Sequence, residues 1–350
     1  MGRMSTRSKT EALLRCVRLA AAVFAMASGL TPTVYAEPTD AINRPVIIYV
    51  AGTAGGGIDL YARLLARHLG RHIPGNPPIT VQDMPGAGGI RAAYFLAATA
   101  PRDGTALATF ANGPLLEPLI GARNPGYDMS QFTWVGAITK DVVLCLSRGS
   151  GPFKTIDDVR QKQMNVAGTG AGSETNTWPA ILNDLLGTKF KLVSGYPGTQ
   201  ETIIAIERGE ADGRFISLSA LKTAKPDWLR DGKTNLLLQM GLEKSPALPD
   251  VPLIFNYVSN ESDRAMFALL AAPNNIARAF AAPPGLPPAT AAVLRRAFDA
   301  TMKDPEFMAE GVKMQADISP TYGENVQNII ARIYATPQPV VDRVKKYFPQ

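Results

Sequence analysis

The chain has 350 residues, with 36 Lys and Arg against 30 Asp and Glu, a formal net charge of +6, two cysteines and two histidines. Residues 1–36 carry five of the basic residues and one acid, so +6 less 4 leaves +2 for the rest, where no Lys/Arg cluster interleaves with aromatics; nucleic acid is excluded as a partner. Only Cys145 lies beyond that segment, which excludes an intramolecular disulfide there.

Arg3, Arg7, Lys9, Arg15 and Arg18 precede an apolar run, Leu19 to Leu30, that is too short to cross a bilayer. Val34-Tyr35-Ala36 then supplies the small residues that a signal peptidase reads. The expectation is an export signal (1–36) cleaved after Ala36 and a periplasmic mature chain with no further membrane-length stretch. Cys16 lies ahead of the apolar run, where it cannot serve lipid attachment.

Val46 to Ala51 reads as a buried strand, followed by the turn Gly52-Thr53-Ala54-Gly55-Gly56-Gly57. The next segment is helical: Ile58, Ala62, Leu65 and Leu69 fall on one face and Gly70 stops it. Such a turn converges backbone N–H groups and a helix N-terminus on one point, a site for an anionic group. It lacks the Gly-Lys-Ser/Thr ending of a P-loop and misses the Gly-x-Gly-x-x-Gly spacing, which argues against a nucleotide. Asp59 would repel a carboxylate that it faced, so it is read as satisfying loop or helix N–H groups from the flank. His68 and His72 stand four apart without an accompanying glutamate and beside Arg67 and Arg71. They read as a solvated basic face, with no metal and no cofactor expected.

Further strands are expected at 79–83, 106–110, 133–138, 142–147, 164–168, 190–194, 213–217, 235–240 and 266–272. Amphipathic helices alternate with them, which points to an α/β fold of two domains with mostly parallel sheets. Cys145, inside the run 142–146, reads as a core residue. A second turn, Gly168-Thr169-Gly170-Ala171-Gly172-Ser173, leads into Glu174, Thr175, Asn176 and Thr177 at a helix start. Its hydroxyls and amides suit a carboxylate as well as ordinary capping. Arg214 could pair bidentately with a second carboxylate, or equally bridge to a surface acid, with Ser217 and Ser219 as neutral donors. Helices follow from Thr199 to Gly209, around 289–303 and from Asp304-Pro305, with 282–288 a rigid Pro-rich connection. No catalytic constellation emerges.

Several runs carry a resemblance: Gly55-Gly56-Gly57-Ile58-Asp59 with Ala62-Arg63, Met84-Pro85-Gly86-Ala87-Gly88-Gly89, Ala100-Pro101-Arg102-Asp103-Gly104-Thr105, Gly170-Ala171-Gly172-Ser173, Tyr196-Pro197-Gly198-Thr199, and Ser245-Pro246-Ala247-Leu248-Pro249-Asp250-Val251-Pro252. In this order they resemble the Bug-type extracytoplasmic solute receptors of tripartite tricarboxylate transporters. The resemblance implies a two-lobed periplasmic-binding-protein (Venus flytrap) fold, with lobe 1 from 37–138 plus 247–350 and lobe 2 from 139–246. It implies a monomeric binding protein that is not an enzyme, whose partners are a small carboxylate and membrane permease subunits. Amides of Thr53, Ala54, Gly55 and Gly56 would hold one side of the carboxylate, and Gly170, Gly172 and Ser173, with Thr169 and Asn176 beside them, the other. The chain departs from the family at Ala51-Gly52-Thr53-Ala54, which replaces a Pro-rich lead-in, and at Asn176, which replaces a histidine. Near Ile216 amino-acid-binding members place an acid against the ammonium, so a non-amino carboxylate is favoured. The alternatives are a secreted hydrolase using Ser173 or Thr169, and a solute sensor for a signalling partner.

Overall fold

A computed structural model describes residues 41–121, 124–169 and 173–348. The expected export signal lies outside the described residues. The strands are β1 Val46–Val50, β2 Ile79–Asp83, β3 Ala106–Thr109, β4 Thr133–Thr139, β5 Val143–Arg148, β6 Met164–Gly168, β7 Phe190–Ser194, β8 Gly213–Ser217, β9 Thr234–Met240, β10 Ala277–Ala282 and β11 Thr321–Tyr322. They form two sheets, one in the order β11-β4-β10-β3-β1-β2 and one in the order β7-β6-β8-β5-β9.

β1 shows why its sequence is apolar throughout. Val46, Ile48 and Val50 pack on one face with Leu64 and Leu65 of the helix Gly57–Leu69 and with Phe298, while Tyr49 packs on the other with Ala92 and Leu96 of the helix Ile90–Ala98. A strand covered on both faces buries side chains of both parities, Ile47 being the one only partly covered, so the period-two alternation disappears.

The architecture is α/β, as the strand–helix alternation predicts, but the sheets are mixed rather than mostly parallel. The pairs β1–β2, β1–β3, β6–β7 and β6–β8 are parallel. The antiparallel pairs all involve β4, β5, β9 or β10, the strands that lead the chain from one sheet to the other and back. Residues 140–142 alone join β4 of the first sheet to β5 of the second.

Two elements differ from expectation. Residues 266–272, expected as a strand, belong to the helix Glu261–Ala271 and the 3-10 turn after it. A short apolar run is compatible with either state. Here Asn260 decides it by accepting the Asp263 N–H as N-cap. The Ala-rich β10 went unrecognised because alanine carries little β preference. It is central all the same, since small side chains let it sit between β3 and β4.

The segment after β9 stays on the second sheet through a buried amide. Gln239 is fully buried; its Nε2 donates to Leu248 O at 3.0 Å and Val251 O at 2.8 Å, and its Oε1 accepts from Ser245 N at 2.8 Å. An isolated bridge joins Gln239 to Leu253. The Ser-Pro-Ala-Leu-Pro-Asp-Val-Pro run is thus the loop whose carbonyls this side chain satisfies.

Candidate functional site

The first turn leaves β1 at Val50 and projects Thr53, Ala54, Gly55 and Gly56 into solvent. Gly55 has φ +76°, open to glycine and costly for most other residues. Its N–H donates to Asp59 Oδ2 at 2.7 Å, and Asp59 Oδ1 lies 2.7 Å from Arg63 Nε. Asp59 is 2 % exposed, so the acid supports the turn from behind, as the flank reading has it. Gly56 N donates to Thr53 O at 3.3 Å. Two of the four amides expected to meet a ligand, those of Gly55 and Gly56, are therefore engaged inside the turn. Thr53 and Ala54 N–H donate to no acceptor among the described residues.

At the second turn, Gly170 and Gly172 lie outside the described residues. Thr169 N donates to Thr175 Oγ1 at 3.0 Å, and the same oxygen meets Thr169 Oγ1 at 3.1 Å and Ser173 Oγ at 2.7 Å. Asn176 Nδ2 donates to Ser194 Oγ at 3.1 Å. These are capping and loop-closing bonds among residues that follow β6 or end β7. His68 Nε2 meets Glu310 at 2.6 Å and His72 Nε2 meets Asp304 at 2.9 Å, so both imidazoles are tied to acids of the C-terminal helices.

The histidine pair forms part of a surface ion-pair network, not the solvated face expected of it. His68 is 6 % exposed and meets the Phe307 ring edge-on at 5.6 Å. Donor atoms of His68, Asp304 and Glu306 lie within 4.8 Å of one another. The Arg71 guanidinium stands among them, 3.0 Å from Asp304 and 2.5 Å from Glu306, and supplies the positive charge that a metal would bring.

Arg214 is buried within the second sheet. It is 2 % exposed and donates to Phe215 O at 3.1 Å, Thr199 O at 2.9 Å and Thr202 Oγ1. No acid among the described residues pairs with it, and burial pulls its guanidinium down to about 10. It fastens the start of the helix Thr199–Glu207 to β8, so neither the second-carboxylate reading nor the surface-acid reading holds. Ser217 caps the helix Leu218–Ala224 by accepting from Ala220 N at 3.3 Å. Ile216 is 4 % exposed in an apolar cluster with Leu144 and Ile203, so it carries no information about an ammonium group.

What the sequence did not mark is a charged cluster where the sheets join. Asp141, in the short connection from β4 to β5, accepts from Val142 N at 2.9 Å, Ser219 N at 3.2 Å and Ser219 Oγ. Arg278 of β10 donates from Nη2 to Ser219 Oγ at 2.7 Å. Glu174, at the start of the second turn's helix, accepts from Asn112 Nδ2 at 2.6 Å, and that amide also donates to Asn274 Oδ1 at 2.7 Å. The helix after β3, the second turn and the return crossing are thereby tied together. The one available signal was Arg278 itself, a lone charge in an alanine-rich strand.

Burial raises the Glu174 carboxyl above its ordinary 4.5, and the Asp141 charge adds to this against the opposing Asn112 bond and Arg278 charge. The folded state thus holds this proton more tightly than the unfolded chain, so this group's contribution to stability falls as pH rises from 4.5 through the raised folded value. Glu174→Gln keeps the acceptor for Asn112 and cannot ionise. Denaturant melts should give a variant whose stability relative to the parent grows across that window; a difference independent of pH would refute this.

A surface hollow of about 830 Å³, lined by Lys140, Asn275, Thr321 and Arg332 among others, contains none of the expected site residues. Among the described residues, no helix is long and apolar enough to cross a membrane.

The family model described as "Tripartite tricarboxylate transporter family receptor" matches residues 62–343. A UPF0065 protein from the gbd 5′ region of Cupriavidus necator is 25% identical over 321 residues, covering 88% of this chain and 89% of the relative. Among solved structures, MatC from Rhodopseudomonas palustris with bound malate is 23% identical with a TM-score of 0.62, over 85% of this chain and 99% of that one. A second R. palustris protein, with adipate, is 21% identical with a TM-score of 0.65, over 86% of this chain and 97% of that one.

Proposed function

The chain belongs to the tripartite tricarboxylate transporter receptor family, and on that premise we propose that it captures a small carboxylated solute in the periplasm and delivers it to the permease subunits of such a transporter. Its family and fold neighbours are solute-binding proteins, so it is a binding protein and not the hydrolase of the alternative reading. The observation that carries the proposal is the first turn. Thr53 and Ala54 present amides without acceptors among the described residues, on a support fixed by buried Asp59, at the N-terminus of a 13-residue helix. Amides held in that way suit a carboxylate, with the helix dipole adding to the attraction. Malate and adipate in two neighbours of the same fold support a small carboxylate over other anions.

In this reading the lobes expected at 37–138 plus 247–350 and 139–246 are built on the two sheets, with the second lobe extended to about residue 253, because Gln239 holds that loop on the second sheet. The second turn, with Thr169, Gly170, Gly172, Ser173 and Asn176, closes on the solute from the opposite side. Closure excludes water, which strengthens the amide–carboxylate bonds, and presents a joint surface that a permease can recognise. Cleavage after Ala36 and a monomeric mature protein complete the proposal.

Gly56→Val tests it. The Gly56 backbone (φ −72°, ψ 161°) suits valine, but a Cβ there would lie 3.2 Å from Thr53 O, so the branched side chain displaces the turn carrying the free amides. Calorimetric titration with malate and adipate should show binding to the parent and a loss of about 100-fold or more in the variant, with its circular dichroism unchanged. Unchanged affinity would refute the assignment.

A further inference from the structure

Arg278 occupies an unusual position for a charged side chain. Its φ is +58°, a left-handed conformation that a non-glycine residue keeps only where its surroundings hold it. The side chain is 12% exposed and lies 3.9 Å from Asp141 Oδ2 through Nη2. Its Cζ is 5.5 Å from the centre of the Tyr61 ring. Nε is buried and has no hydrogen-bond partner among the described residues.

Asp141 pairs with this cation only at Nη2, at 3.9 Å, and leaves Nε without a partner among the described residues. Asp141 already accepts from Val142 N, Ser219 N and Ser219 Oγ. Glu174, whose charge also reaches Arg278, is bonded to Asn112. A buried N–H without an acceptor is costly, and a guanidinium edge is built to take two oxygens of one carboxylate. The Nη2 end abuts the first turn's helix: a Cβ added to Gly57 would lie 3.4 Å from it. The cation with the unpartnered Nε and the free amides of Thr53 and Ala54 therefore share one corner of the fold.

We propose that Arg278 is the cation of the solute site, its Nε–Nη edge taking a carboxylate other than the one held by the first turn, so that the receptor selects dianions over their one-carboxylate analogues. This rests on the reading of the protein as a carboxylate receptor. Arg278 is contributed by the first sheet, while the hydroxyl that orients it, Ser219, lies in the helix Leu218–Ala224 that follows β8 of the second. A solute held by Arg278 thus favours the arrangement in which the two are together.

The test is calorimetric titration of adipate and hexanoate, and of malate and 3-hydroxybutyrate, into the parent and into Arg278→Gly, Arg278→Gln and Arg278→Lys. Glycine suits the positive φ, so the first variant removes the side chain without straining the backbone; thermal melts without solute confirm that each variant is folded. The expected result is a loss of about 30-fold in diacid affinity for the Gly and Gln variants, unchanged affinity for the monoacids, and partial recovery with Lys. Diacid affinity within about threefold of the parent would overturn the proposal. Equal losses for monoacid and diacid would also overturn it, since they place Arg278 on the same carboxylate as the turn. Failure of the parent to bind any of these acids would instead overturn the carboxylate reading itself.

Discussion

Asp59→Ala is expected to remove solute binding and to destabilise the fold by about 2–3 kcal/mol. The Asp59 carboxylate is 2 % exposed, accepts the Gly55 N–H at 2.7 Å and pairs with Arg63 in the first turn of its helix. Without it the Gly55 N–H has no acceptor, and the φ +76° that shapes the turn is no longer held. The pair with Arg63 contributes little of the cost, because Arg63 is 42% exposed and also meets Asp83 at 3.3 Å. Most of it comes from the orphaned amide and the lost acid at the helix N-terminus. Asp59→Asn retains an acceptor, so it should fold with a loss of about 1 kcal/mol and keep measurable binding. Urea denaturation together with titration of adipate checks both. Undiminished binding by the alanine variant would show that the turn does not depend on this support.

Gly213→Val should cost about 4 kcal/mol or more, a large share of a typical domain's stability. Gly213 opens β8, which lies between β6 and β5. A Cβ there would come 2.0 Å from Leu146 O and 2.5 Å from Met164 Cε. The methionine can move; the carbonyl cannot, because it belongs to the neighbouring strand, and shifting β8 away from it disturbs the pairing with β6 as well. Even alanine should be strongly destabilising. A thermal melt within about 2 °C of the parent would contradict this account of the sheet.

The elements best read from sequence were those whose local chemistry and packing agree. The first turn is an example: its glycines, the preceding apolar strand and the helix stop at Gly70 all point the same way, and Asp59 acts from the flank as its position suggested. Where a choice depended on long-range partners the sequence was silent. The run 266–271 is apolar enough for a strand or a helix, and only its cap and its packing decide. β10 is a strand because β3 and β4 leave room for small side chains between them, not because alanine favours the state. Charged residues were hardest to place. Arg214 suited a ligand carboxylate and a surface acid equally, yet it is consumed by the backbone carbonyls of Phe215 and Thr199. Arg278 looked like nothing in particular, yet it meets the helix of the first turn from more than two hundred residues away in the chain.

The measurement that bears most directly on the central claim is a thermal-shift screen of the mature chain against mono-, di- and tricarboxylates, each beside its neutral amide. A ligand in excess that binds only the folded state raises the melting temperature by mass action. The expected result is stabilisation by at least one small diacid, weaker stabilisation by its one-carboxylate analogue, and none by the amides. Equal shifts with acids and amides, or no shift with any acid, would contradict it.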